Sequence, residues 1–156
     1  EIFTEVENSN SDIVMAIGVL EHIRSPKLLL DAFRKSNSSY LFYLVPMFSL
    51  SVILEAAFQD KFPRVLSGGH THIFTESSVE FMNYEQSLDV VGEWRIGLDF
   101  WDMFSALKME LAKTNEKALL GELLEEKFLP QIDSLQGIMD KAHFCSELHA
   151  VVKKRG

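Results

Sequence analysis

Four stretches of the chain carry apolar residues in patterns that suit a sheet. Ile13 to Ile17 (IVMAI) is continuous, with Asp12 before it and Gly18 after it. A run that is apolar on both faces predicts a buried, parallel strand. Tyr40 to Val45 (YLFYLV) is a second such run, rich in aromatic and branched residues and closed by Pro46. Leu88 to Ile96 (LDVVGEWRI) predicts a third, with Gly92 placed to bulge it. Cys145 to Val152 predicts a terminal strand.

Helical spacing fills the intervals. Pro26 can open a helix, with Ser25 as its N-cap. Leu28, Leu29, Ala32 and Phe33 form its apolar stripe, while Lys27, Asp31, Arg34 and Lys35 face water. Residues 47–62 bring Phe48, Val52, Ile53, Ala56, Ala57 and Phe58 to helical spacing, and Pro63 stops them. Ser67 to His72 reads as a loop, because adjacent glycines weaken any element interior. Thr75 is placed to cap a helix running to about Gln86, with Glu76 favoured in its first turn. Asp99 is expected to cap another, with Phe100, Met103, Phe104, Leu107 and Leu111 inward. Residues 116–128 and 131–142 predict two amphipathic helices interrupted by Pro130, so that 99–142 reads as a helical insertion before the last strand. Strands alternating with helices predict a layered α/β fold with a mostly parallel sheet.

Composition narrows the function. The chain has 156 residues, and 15 basic against 23 acidic residues leave it at −8, which argues against a nucleic-acid partner. At 47% apolar and 24% charged it has the makings of a folded core rather than a disordered segment. Its single cysteine, Cys145, excludes an intrachain disulfide and predicts a buried thiol. The longest apolar run ends near Phe48 and contains Pro46, too short for a bilayer, so no membrane partner and a cytoplasmic location are expected. The start, EIFTEVENSNSD, lacks both a leader pattern and an initiator Met, which predicts either a chain beginning inside a longer protein or one whose beginning has been removed.

The segment most informative about chemistry is Asp12 to Pro26, DIVMAIGVLEHIRSP. A buried strand there opens into a loop carrying a carboxylate and an imidazole side by side, Glu21 and His22. Ligands of open α/β sheets bind outside the carboxyl ends of the strands, and a neutral imidazole there can accept a proton. His70 and His72 are a second pair, spaced to position a substrate. Aromatic residues near the sheet rim, Phe48, Phe58, Phe62, Phe74, Trp94 and Trp101, are read chiefly as core.

Asp12, Val14, Val19, Leu20, Glu21, His22, Ile23 and Pro26 fill a D-x-V-x-x-x-x-V-L-E-H-[IVL]-x-x-P pattern. With LFYLVP, GGHTHIFTESSVEFM and SELHAVVKK, the chain resembles the class I S-adenosylmethionine-dependent methyltransferases, particularly their small-molecule branch. The resemblance implies the C-terminal half of a Rossmann-like sheet, strands 4-5-7-6 with the last antiparallel and helices on its faces. It implies a partial domain over 1–156, without the Gly-rich half that holds most of the cofactor. The cofactor would be S-adenosylmethionine, in a site incomplete in this chain, and the acceptor a small molecule.

By the same resemblance, Ile17, Gly18, Val19, Glu21 and His22 would face the cofactor. His22 and His72 would be the catalytic bases. Phe48, Phe58, His70 and His72 would touch the acceptor. The small-RNA 2′-O-methyltransferases share the general pattern and bind a divalent metal through Glu-x-x-Glu-His and a later His. Here Gly18 stands at the first Glu position, leaving Glu21, His22 and His72, and no metal is expected. The first strand would expose an apolar edge, so association through it is expected, with another copy, another chain or a covering segment. The fragment is expected to be inactive alone. The alternative is a non-catalytic, methyltransferase-like assembly module.

Overall fold

The computed structural model describes every residue except 60, 61, 63, 64, 67, 68, 114–117 and 156, and the side chain of Ala118. The chain forms two compact units, Glu1–Met47 with Gly69–Trp94 and Glu147–Gly156, and Phe48–Gly68 with Arg95–Ser146.

The first unit is built on a four-stranded sheet. Its strands are β1 (Ile13–Ile17), β2 (Tyr40–Pro46), β3 (Leu88–Ile96) and β4 (Glu147–Lys154), in the order β1-β2-β4-β3. β1 pairs parallel to β2, and β4 antiparallel to β2. Just past β4, the Arg155 N–H donates to the Ser87 carbonyl just before β3, so β4 runs against β3 too. The sheet is therefore mostly antiparallel, not mostly parallel as the alternation of elements suggested. A single reversed strand inserted between β2 and β3 turns two junctions at once.

Period-two alternation sorts the sheet's side chains. Val14, Ala16, Leu41, Tyr43, Val45, Leu148, Ala150 and Val152 point to one face and into the core. Helices α2 (Pro26–Lys35) and α4 (Glu76–Glu85) cover that face through Leu29, Leu30, Phe33 and Val79. Leu30, not Leu28, is the buried member of the α2 stripe, and Leu28 is half-exposed. Tyr43 pins α4 to β2: its hydroxyl donates to Asn83 Oδ1 at 3.2 Å and accepts from Asn83 Nδ2 at 3.0 Å. The other face of β1 is open, with Ile13 40%, Met15 60% and Ile17 54% exposed.

Local signals set the helix ends. Thr75 caps α4 in a reciprocal box with Ser78, at 3.2 and 2.8 Å. Ser25 is the α2 N-cap, but its hydroxyl makes no capping bond. Helix α1 (Ile2–Glu7) was not foreseen in the polar N-terminal stretch; it packs on α2, with Phe3 and Val6 against the core.

The second unit is helical: α3 (Leu50–Ala57), α5 (Asp99–Leu111), α6 (Ala118–Lys127) and α7 (Ile132–Lys141). α3 is shorter than the span 47–62, and Pro63, its expected stop, lies outside the described residues. α6 is described from Ala118, and its expected start at 116 falls in residues 114–117, outside the described residues. Pro130 sits within a 3-10 turn, Leu129–Gln131, that leads directly into α7. The last strand starts at Glu147, so Cys145 precedes it as a buried residue outside any intrachain disulfide.

Asp99 is not the cap of α5; Leu98 holds that position and Asp99 is the first helical residue. Its carboxylate is fully buried and serves as an anchor. It accepts from Ser49 Oγ at 2.7 Å, the Ser51 N–H at 2.9 Å, the Ser146 N–H at 3.1 Å and Gln136 Nε2 at 3.3 Å. Of the residues expected inward on α5, Phe104 is buried, whereas Leu107 is exposed.

Candidate functional site

The carboxyl end of β1 is where the site begins. Gly18 follows the strand with φ +63, a left-handed turn that glycine adopts without steric cost. A Cβ placed there would lie 3.7 Å from Glu21 Oε1. The chain then tightens, with the His22 N–H donating to the Val19 carbonyl at 3.1 Å. Leu20 drops into the core and Glu21 is buried, while His22 faces solvent.

The loop that precedes α4 docks onto this turn through backbone groups. The Glu21 carbonyl accepts from the Thr71 N–H at 2.7 Å, the His72 N–H at 3.3 Å and Thr71 Oγ1 at 2.8 Å. One residue's carbonyl thus receives three donors from Thr71 and His72. The consequence is that His70 stands against the strand end. The His22 and His70 rings lie 4.7 Å apart between centroids, tilted by 56°. One ligand-type atom from each of Glu21, His22 and His70 lies within 4.8 Å of the other two.

His72 is not in this cluster. Its Nδ1 lies 2.8 Å from Thr71 Oγ1. It lines a cleft of about 390 Å³ with Leu30, Phe74, Phe81, Met82 and Gln86. The two loop histidines therefore point to different surroundings, as alternate residues of an extended loop can.

The remaining expected residues divide as follows. Ile17 and Gly18 are exposed at the strand end, and Val19 is half-buried. Phe48 and Phe58 belong to the second unit; both are exposed, and Phe58 pairs with Phe62 at 6.0 Å. Trp94 and Trp101 are also exposed, so the core reading of these four aromatics fails, while Phe74 is buried as expected. Ser67 and Gly68, the start of the expected loop, lie outside the described residues. The cleft around Gln86 carried no sequence signal, since α2 and α4 build it from separate segments.

No family model and no curated protein matches the chain. Solved structures do. A Galdieria sulphuraria protein provisionally assigned as a sarcosine dimethylglycine methyltransferase superposes with a TM-score of 0.52 at 13% identity, over 99% of this chain and 57% of that one. An S-adenosylmethionine-dependent methyltransferase from Archaeoglobus fulgidus superposes with a TM-score of 0.50 at 15% identity, over 99% of this chain and 65% of that one. The chain has the α/β fold of these methyltransferases and spans less than two thirds of the length of either.

Proposed function

We propose that the chain is the C-terminal part of a class I methyltransferase that moves a methyl group from S-adenosylmethionine to a small-molecule acceptor. The observation that carries this reading is the left-handed turn at Gly18, opening from a strand end beside Glu21 and His22, in a sheet of this order. Gly18 leaves the strand end bare of side chain, which suits close approach of a ligand. Ile17, Gly18, Val19 and Glu21 would hold the methionine end of the cofactor. The cofactor supplies an electrophilic methyl carbon on a sulfonium. His22 or His72 accepts the acceptor's proton when the nucleophile is a hydroxyl, and the protein otherwise works by alignment. His70, His72, Phe48 and Phe58 would contact the acceptor, and 99–142 is a helical insertion before the last strand.

The described residues contain no G-x-G-x-G turn, so by the resemblance most of the cofactor site is not among them. Alone, the chain binds cofactor weakly and turns over little. Calorimetric titration with S-adenosylmethionine tests this: binding weaker than the millimolar range is expected for the isolated chain, and micromolar binding overturns the fragment reading. A second reading is favoured by the exposed Ile13, Met15 and Ile17 on β1. It makes the chain a non-catalytic assembly module that associates through the open apolar face of β1, the outermost described strand. No described helix is long and apolar enough to cross a membrane.

A further inference from the structure

The cleft between α2 and α4 lies wholly within the first unit, and Glu21, His22 and His70 do not line it. At about 390 Å³ it falls at the lower end of small-ligand pockets, which span roughly 300–1,000 Å³. Pro26 and Leu30 wall it from α2, Phe81 and Met82 from α4, and Phe74 from the stretch before α4. One buried polar group breaks this apolar lining. Gln86, directly after α4, is only 3% exposed, and its Oε1 has no hydrogen-bond partner among the described residues. The helix end does not use that amide, because the Gln86 backbone N–H closes the last turn on the Met82 carbonyl at 3.1 Å. Buried polar groups are nearly always paired, so an unpaired carbonyl oxygen at the wall of an apolar cleft points to a donor that enters with a ligand.

We propose that this cleft binds a small, neutral aromatic molecule of the phenol class, whose hydroxyl donates to Gln86 Oε1. Phe74 and Phe81 offer ring contacts and Met82 a thioether, a lining that favours an aromatic ring over a branched alkyl group. A hydroxyl supplies the single donor that an amide oxygen takes, without bringing charge into an apolar cleft. The terminal torsion of a glutamine side chain is broad, so a modest rotation turns Oε1 to the entering group.

The charged residues at the cleft disfavour an anion. The Lys27 ammonium is already held by Asp31, with contacts of 2.9 and 2.7 Å, and Glu85 is an exposed acid. A neutral ring with one hydroxyl is what remains. Neither a cofactor nor a base takes part, so this binding holds with or without methyl transfer.

The test is titration of the isotope-labelled chain with phenol and, in parallel, with toluene, which keeps the ring and lacks the donor, followed by amide NMR. Phenol should bind saturably, with shifts at Leu30, Phe74, Met82 and Gln86, and about tenfold or more tighter than toluene. Anisole, whose oxygen cannot donate, should bind no tighter than toluene. Gln86→Leu should erase the preference for phenol, Phe81→Ala should weaken both ligands and keep their ratio, and Glu21→Gln should bind phenol as the parent does. Absence of saturable binding, shifts confined to other residues, or equal affinity of the parent for phenol and toluene each overturn the proposal. So does a preference for phenol that survives Gln86→Leu. Shifts at the same residues that grow with protein concentration, without ligand, would show a second copy filling the cleft and overturn it too. Circular dichroism checks each fold; if Gln86→Leu unfolds, the anisole comparison on the parent decides.

Discussion

Both units bury carboxylates, and two of these, Asp99 and Glu21, are treated in opposite ways. Asp99 in the helical unit is fully buried, with donors from Ser49, Ser51, Gln136 and Ser146 on its oxygens. Burial alone would push its pKa up, but the bonds from Ser49, Ser51 and Gln136 outweigh it and hold the group below its ordinary value. Glu21 in the sheet unit is almost as buried, yet one of its oxygens has no hydrogen-bond partner. A saturated carboxylate is a strut, whereas an unsaturated one is a socket. The difference separates a carboxylate whose oxygens are bonded within the fold from one with an oxygen left unbonded.

That contrast can be broken most sharply at Asp99. Asp99→Ala strands the Ser51 and Ser146 N–H groups in the interior and should cost about 3 kcal/mol or more in urea denaturation. A loss below about 1 kcal/mol would contradict the strut reading. Gly97→Ala is next. Its Cβ would sit 1.9 Å from Gln136 Nε2 and 2.6 Å from Asp99 Oδ2. Displacing that bridge should cost about 1–3 kcal/mol, read in the same assay.

The acid side of the stability curve sharpens the comparison further. Asp99 has a folded pKa below its unfolded one, so its contribution is complete above the ordinary aspartate pKa of about 3.9. It is lost as pH falls through the lower folded value. Asp99→Asn should flatten the decline of stability below about pH 3.9, and an unchanged acid limb would refute the assignment. Thr71→Val removes one of the bonds to the Glu21 carbonyl and should cost about 1 kcal/mol in thermal melting. Smallest of all, Glu21→Gln should leave apo stability within about 1 kcal/mol of the parent, because the carboxylate oxygen it alters holds nothing. A large loss there would make Glu21 a second strut.

The elements were legible where the signal is local. β1 and β3 lie where their branched and aromatic runs place them, and Pro26 and Thr75 mark the starts of α2 and α4. α1 escaped because IFTEVE is six residues long and its burial depends on α2, about twenty residues away by sequence count. The reversed last strand followed from the family resemblance and is observed, whereas the alternation of elements alone suggested a mostly parallel sheet because nothing local marks where β4 inserts. At the site, Glu21 and His22 are neighbours in the chain and were visible together. His70 and His72 could not be ranked, because only the loop's docking on the Glu21 carbonyl decides which ring meets Glu21. Asp99 was legible as an acid near a helix start, but its donors come from as far apart as Ser49 and Ser146, which no local pattern connects.

The insertion of β4 also governs the order of assembly. β4 follows β3 in the chain yet lies between it and β2, so among the described strands β3 has no neighbour to join until residues 147–154 emerge. Until then β1–β2 is the only pair of described strands that can form, and nascent chains halted before residue 147 should remain protease-sensitive across 88–96.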